Sequence, residues 1–122
     1  MGYESRIIVM NRSELTRPNG GNWVYTENWV YAEKIAEMNM CCMGSDFKKL
    51  FEKPIDYTIY VNDEKTDEDC YGEHIKYATI DRIVEWLENY NEDYRRIAPL
   101  LGLLKGFDES EWDELQVLHY GY

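Results

Sequence analysis

The hydrophobic period changes along this chain, and that change limits the possible folds more than any other feature. Over residues 55–61, Ile55, Tyr57, Ile59 and Val61 alternate with Asp56, Thr58 and Tyr60, the period of two that marks a half-buried strand. Over residues 80–87, Ile80, Ile83, Val84 and Leu87 fall at i, i+3, i+4 and i+7, the stripe of an amphipathic helix. A domain holding both patterns is neither all-helical nor all-strand. The flanks extend the argument. Residues 3–10 end in Arg-Ile-Ile-Val-Met and read as a strand, because β-branched side chains suit a pleated surface. Residues 11–21, with Pro18, Asn19, Gly20 and Gly21, read as a turn or connection. Residues 32–43 follow directly on an aromatic, β-prone run, and Ala36, Met38 and Met40 alternate with Glu37 and Asn39, so they read as strand, with helix as the alternative because Ala, Glu, Lys and Met are also good helix formers.

A short helix is expected over 46–52, with Asp46 as cap, Phe47, Leu50 and Phe51 on one face, and Pro54 as its stop. A short strand is expected at 74–77, and Thr79 should cap the 80–87 helix. A second helix carries Ile97, Leu100, Leu101 and Leu104, with Pro99 in its first turn and Gly106 just past its end. Asp108 and Glu111 then suit an acidic capping box. In the closing strand Leu115, Val117 and His119 share a face. Strands near both ends with helices between them predict an α+β fold: a mainly antiparallel sheet with two or three helices packed on one face. The length of 122 residues is that of one domain, 1–122. The helix positions Ile83, Val84, Leu87, Leu100, Leu101 and Leu104 are expected to pack on the sheet face that carries Ile55, Tyr57 and Ile59.

Charge narrows the function classes. The net charge is −11, which argues against direct affinity for nucleic-acid phosphates or anionic membranes. Residues 1–61 hold eight acidic and seven basic side chains, residues 62–122 sixteen and six, so nearly the whole excess lies in the second half. It gathers in Asp63, Glu64, Asp67, Glu68 and Asp69, in Glu85, Glu88, Glu92 and Asp93, and in Asp108, Glu109, Glu111, Asp113 and Glu114. No apolar run approaches the roughly 18 residues of a membrane span, and the opening MGYESRIIVM lacks the features of a secretory signal. Three cysteines, Cys41, Cys42 and Cys70, suit free thiols in a reducing compartment. A cytoplasmic location follows as the expectation.

No catalytic motif stands out. Cys70 and His74 lie four apart, but the paired C-x₂-C spacing of a zinc site is missing, so neither metal nor cofactor is expected. Acidic residues on helix faces and caps read as solvated surface before acid–base machinery. The tandem echo Asn22-Trp23-Val24-Tyr25 and Asn28-Trp29-Val30-Tyr31 is the aromatic feature most open to binding, either as interface or as core. Arg95-Arg96 is the one basic dipeptide of the acidic half, able to fork onto a phosphate or to pair with Glu92 and Asp93.

The segments MGYESRIIV, FEKPIDYTIYV, DYRRIAPLLGLLKGF and LQVLHYGY resemble small proteins carried by phages and prophages of Gram-positive bacteria. The resemblance covers most of the chain. It implies a viral or mobile-element setting and carries over no catalytic residue. The function expected is that of an acidic accessory protein that binds and blocks a host protein, in its sharpest form a nucleic-acid-mimicking inhibitor of a defence nuclease of the anti-CRISPR kind. The partner-binding residues would be Asp63, Glu64, Asp67, Glu68, Asp69, Glu109, Glu111 and Glu114, with no direct nucleic acid and no membrane as partner, and homo-oligomers compatible. The alternative is a binder that sequesters a nucleotide signal, stacking it on Trp23, Tyr25, Trp29 or Tyr31 with Arg95 and Arg96 on its phosphates.

Overall fold

A computed structural model of the chain describes residues 4–18, 26–40, 44–90 and 95–122, with backbone alone at 14–18, 26–31 and 44. Strands β1 (Ser5–Pro18) and β2 (Thr26–Asn39) come first, then a one-turn helix α1 (Gly44–Lys48). Four short strands follow: β3 (Lys53–Pro54), β4 (Ile59–Val61), β5 (Glu64–Thr66) and β6 (Lys76–Ala78). Helices α2 (Ile80–Glu88) and α3 (Ile97–Lys105), a 3₁₀ helix (Glu109–Glu114) and β7 (Leu115–Gly121) complete the chain. The main sheet has the order β2-β1-β7-β6-β3, and β4 and β5 form a separate hairpin. Every strand pairing is antiparallel, so the α+β expectation holds.

Strand alternation divides the apolar side chains between the two faces. Ile7, Val9, Leu115 and Val117 face the helices and pack with Phe47, Phe51, Ile80, Ile83, Val84, Leu87, Leu100 and Leu104. Ile8, Met10, Leu118 and Tyr120 face the other way and pack with Ile55, Ile59, Val61 and Ile75. This corrects the expected core. The helices do lie on one face, but Ile55, Tyr57 and Ile59 belong to the opposite cluster, where the β4–β5 hairpin covers the sheet. The 55–61 segment is also less regular than its alternation implies. Only Ile59–Val61 is strand, and Ile55 is tied in by its N–H to the Ile75 carbonyl at 3.0 Å. Its alternation records burial, not a continuous ladder.

The connection expected at 11–21 is corrected in part as well. β1 runs on to Pro18, which pairs with Thr26, while β7 covers β1 only from Ser5 to Asn11. Beyond Asn11 the β1–β2 pair continues as a two-stranded ribbon past the end of β7. Pro18 is tolerated because it stands at the last position of that ladder. Between Val9 and Met10 the register slips, from Val9↔Ala36 to Met10↔Lys34, leaving Ile35 as the extra residue of a bulge. The 32–43 segment is strand as far as Asn39, with Ala36 and Met38 packed against the helix-side core. Helix α1 begins at Gly44, so Asp46 sits in its first turn instead of capping it, and the helix stops at Lys48, well before Pro54. Thr79 holds the N-cap position of α2 with extended backbone, although its side chain makes no capping hydrogen bond.

Candidate functional site

The first acidic group is presented by a backbone with little freedom. The β4–β5 turn places Asn62 at φ 52° and Asp63 at φ 65°, the left-handed pair that a tight two-residue hairpin needs and that Asn and Asp tolerate. Turn chemistry thus puts Asp63 at the hairpin tip beside Glu64, which pairs with Val61. Farther on, the Thr66 hydroxyl accepts from the Glu68 N–H at 3.0 Å and donates to the Glu68 carbonyl at 2.9 Å. The Asp69 carboxylate accepts from the N–H of Tyr71 at 2.9 Å and of Glu73 at 3.1 Å, an Asx-type turn. Gly72 supports it at φ 77°, and the Cys70 N–H fixes the loop to the Gly121 carbonyl at 3.1 Å.

The second group rides on the 3₁₀ helix. Asp108 accepts from the Ser110 N–H at 3.0 Å and the Ser110 hydroxyl at 2.9 Å, and these bonds hold its carboxyl below the usual range. Trp112 donates its indole N–H to the Phe107 carbonyl at 3.0 Å and packs on the helix-side core. Glu109, Glu111 and Glu114 are left exposed. The two acidic groups are not brought together. The loop is anchored at Gly121 and the 3₁₀ helix runs into Leu115, so they lie at opposite ends of β7, roughly 20 Å apart at about 3.3 Å per residue.

Ion pairing picks out four carboxylates that each have a cation close by. Asp56, Glu52, Glu73 and Glu88 are matched by Arg12, Arg82, Lys48 and Lys105. Among the described residues Asp63, Glu64, Glu68, Asp69, Glu109, Glu111 and Glu114 form no ion pair, and Asp67 only approaches His74 at 4.0 Å. Of the middle group, Glu85 is exposed on α2 and Glu88 meets Lys105 at 3.3 Å, while Glu92 and Asp93 lie outside the described residues.

The aromatic echo divides. Trp23 and Tyr25 lie outside the described residues. Trp29 and Tyr31 are part of β2, opposite Leu15 and Ser13 of β1. Arg95 is exposed just before α3. Arg96 donates to the Asn39 carbonyl at 2.5 Å, tying the start of α3 to the end of β2. Of the partners expected for this dipeptide, Glu92 and Asp93 lie outside the described residues.

A cleft that the sequence did not announce lies beside the acidic loop. It measures about 670 Å³ and is bordered by Lys48, Lys49, Phe51, Glu73, His74, Lys76 and His119. His119 is 5% exposed, with Nε2 2.8 Å from the Ser5 hydroxyl and its ring 5.2 Å from that of Phe51. Burial, with Lys48 nearby, lowers its pKa to about 4, so the ring is neutral at pH 7. Lys48 meets Glu73 at 2.5 Å and keeps that carboxyl ionised below its usual range. Ser5 is 1% exposed behind the histidine, a position suited to packing and not to attack on a substrate. His74 reaches the Ile55 carbonyl at 3.0 Å and the Cys70 sulfur the Tyr120 hydroxyl at 3.2 Å. Cys41 and Cys42 are outside the described residues, and among those described no three His, Cys, Asp or Glu side chains gather as metal ligands. No described helix is long and apolar enough to cross a membrane. His119 was legible only as a core position, and its cleft unites residues from 48 to 119 that carry no shared spacing.

No family model, no curated protein and no solved structure matches this chain.

Proposed function

We propose that this chain is a small acidic accessory protein of the phage or prophage type, which binds and blocks a host protein in the bacterial cytoplasm. In its sharpest form the target is a nucleic-acid-binding defence factor, whose basic groove the carboxylates occupy where phosphates would otherwise lie. One observation carries the reading: seven of the carboxylates expected to bind a partner, in the acidic loop and on the 3₁₀ helix, have no ion pair among the described residues, whereas Asp56, Glu52, Glu73 and Glu88 are each met by a cation. Unmatched exposed charge of one sign contributes little to folding and raises self-repulsion, but it steers and orients a partner of the opposite sign. The internal bonds of the Asp69 turn and the Asp108 cap support the same reading, because charges fixed before binding need less ordering on contact.

The test is capture from host lysate on immobilised protein, with duplex DNA as competitor. The proposal expects a basic partner whose retention falls when DNA is added and when salt rises from about 0.05 to 0.2 M. The cleanest probes are Glu64→Lys with Glu68→Lys, and Glu109→Lys with Glu111→Lys and Glu114→Lys. Asp69 is unsuitable, since its carboxylate closes the loop. Capture unaffected by both variant sets and by DNA would end the mimicry reading.

A further inference from the structure

A second cleft, on the other face of the sheet, has a make-up opposite to that of the protein as a whole. It measures about 680 Å³ and lies between the β1–β2 pair and the β4–β5 hairpin, within the roughly 300–1,000 Å³ range of ligand pockets. Its floor is apolar and fully inside the fold: Ile8, Met10 and Ile59 are each 5% exposed or less. Lys34 from β2 and Lys65 from β5 stand on its two walls, and Tyr60, the cross-strand neighbour of Lys65, is 67% exposed at its rim. The one carboxylate among the cleft's described residues, Asp56, is held by two Arg12 nitrogens, Nε at 2.9 Å and Nη2 at 2.5 Å. Arg12 keeps that carboxyl below its usual range, so its charge is matched locally. Tyr57 contributes its ring and turns its hydroxyl away, donating to Gln116 at 2.6 Å. Lys34 has only a loose neighbour in Glu37, at 3.5 Å with both side chains about half exposed, an arrangement worth little in water. A molecule of net charge −11 therefore offers here two lysines over an apolar floor with an exposed aromatic ring at the edge.

We infer that this cleft binds a planar organic anion, an aromatic or heteroaromatic ring bearing a single phosphate, carboxylate or sulfonate, with the ring on the Ile8–Met10–Ile59 floor against Tyr60 and the anionic group between Lys34 and Lys65. Each half of the ligand has a reason. A bare anion would leave the exposed Tyr60 ring without a contact, and a neutral ring would leave the lysines without a counter-charge. This site uses none of the carboxylates of the partner-binding proposal, although Lys65 follows Glu64 in β5, so it stands or falls apart from that proposal.

The test uses two probes, adenosine monophosphate followed by calorimetry and anilinonaphthalene sulfonate followed by fluorescence, with adenosine and inorganic phosphate as half-ligands. Saturable binding of at least one probe is expected, and where it is adenosine monophosphate, each half-ligand should bind at least about tenfold more weakly. Lys34→Glu combined with Lys65→Glu should weaken the probe about tenfold or more, and Tyr60→Ala severalfold, with the melting temperature serving as control because all three side chains are exposed. Glu109→Lys should leave probe binding unchanged. Failure of both probes to saturate, equal binding by a half-ligand, or indifference to the lysine reversal at unchanged melting temperature would each overturn the inference.

Discussion

The two faces of the main sheet are covered in different ways. On one face α1, α2 and α3 bring Phe47, Ile80, Ile83, Leu87, Leu100 and Leu104 down onto Ile7, Val9 and Val117, nearly all of them without exposed surface. On the other face a hairpin of two three-residue strands and the 55–57 and 75 segments cover Ile8, Met10, Leu118 and Tyr120. Each cover leaves a cleft: on the helical side it lies at the margin, by Lys48, Phe51 and His119, and on the hairpin side it opens between the hairpin and β2, walled by Lys34 and Lys65. The structure thus assigns stability mainly to the helix side, and leaves room for binding beneath the hairpin and along its acidic continuation.

The sharpest way to break that comparison is to truncate on each side. Leu100→Ala or Leu87→Ala should cost about 2–5 kcal/mol, since both side chains are fully enclosed. Val61→Ala on the hairpin side, where Val61 is 8% exposed, should cost only about 1–2 kcal/mol at about 0.8 kcal/mol per buried methylene. Urea titrations that rank the two sides the other way would refute the division. The second effect concerns His119, at the margin of the helix side. Its pKa is lowered to about 4 in the fold, against an ordinary 6.5, by burial first and by Lys48 next, with Asp69 and Glu73 opposing. The unfolded chain therefore takes up the proton more readily, and the neutral histidine's contribution is whole above pH 6.5 and is lost as pH falls towards 4. The loss should reach about 3 kcal/mol. In His119→Gln this segment of the stability–pH curve should flatten; a curve of unchanged slope would show that some other group titrates. The smallest effect is expected on the acidic surface, where Glu64→Lys and Glu68→Lys should move stability by no more than about 0.5 kcal/mol. A larger loss by thermal unfolding would mean that these carboxylates hold the loop together.

Legibility in the sequence follows the range of the interactions. Helix α2 was readable because its stripe is local, and the closing strand because Leu115, Val117 and His119 alternate over five residues. The 55–61 segment also revealed which residues are buried, but not that they lie on the face away from the helices. That choice is made by pairing partners far along the chain, such as Ile75 for Ile55. The run of β1 to Pro18 was hidden by the turn-forming residues that follow it, and the bulge at Ile35 has no signal in composition. Among candidate residues, the sequence showed the acidic groups as charge and missed what Asp69 does, although Asp69 with Gly72 three residues later is the pattern of an Asx-type turn. Both clefts draw on residues dispersed from 8 to 119, and only tertiary pairing assembles them.

The central proposal is that the unmatched carboxylates of the acidic loop and the 3₁₀ helix recognise a basic surface. It is tested most directly by measuring the dissociation constant for the captured host partner at about 0.05 and 0.2 M salt, for the parent chain and for the Glu64→Lys/Glu68→Lys and Glu109→Lys/Glu111→Lys/Glu114→Lys variants. The account predicts an affinity that falls steeply with salt, and at least about a tenfold loss in one of the two variants, with a slower association rate and an unchanged melting temperature. An affinity indifferent to salt and to both reversals would contradict it.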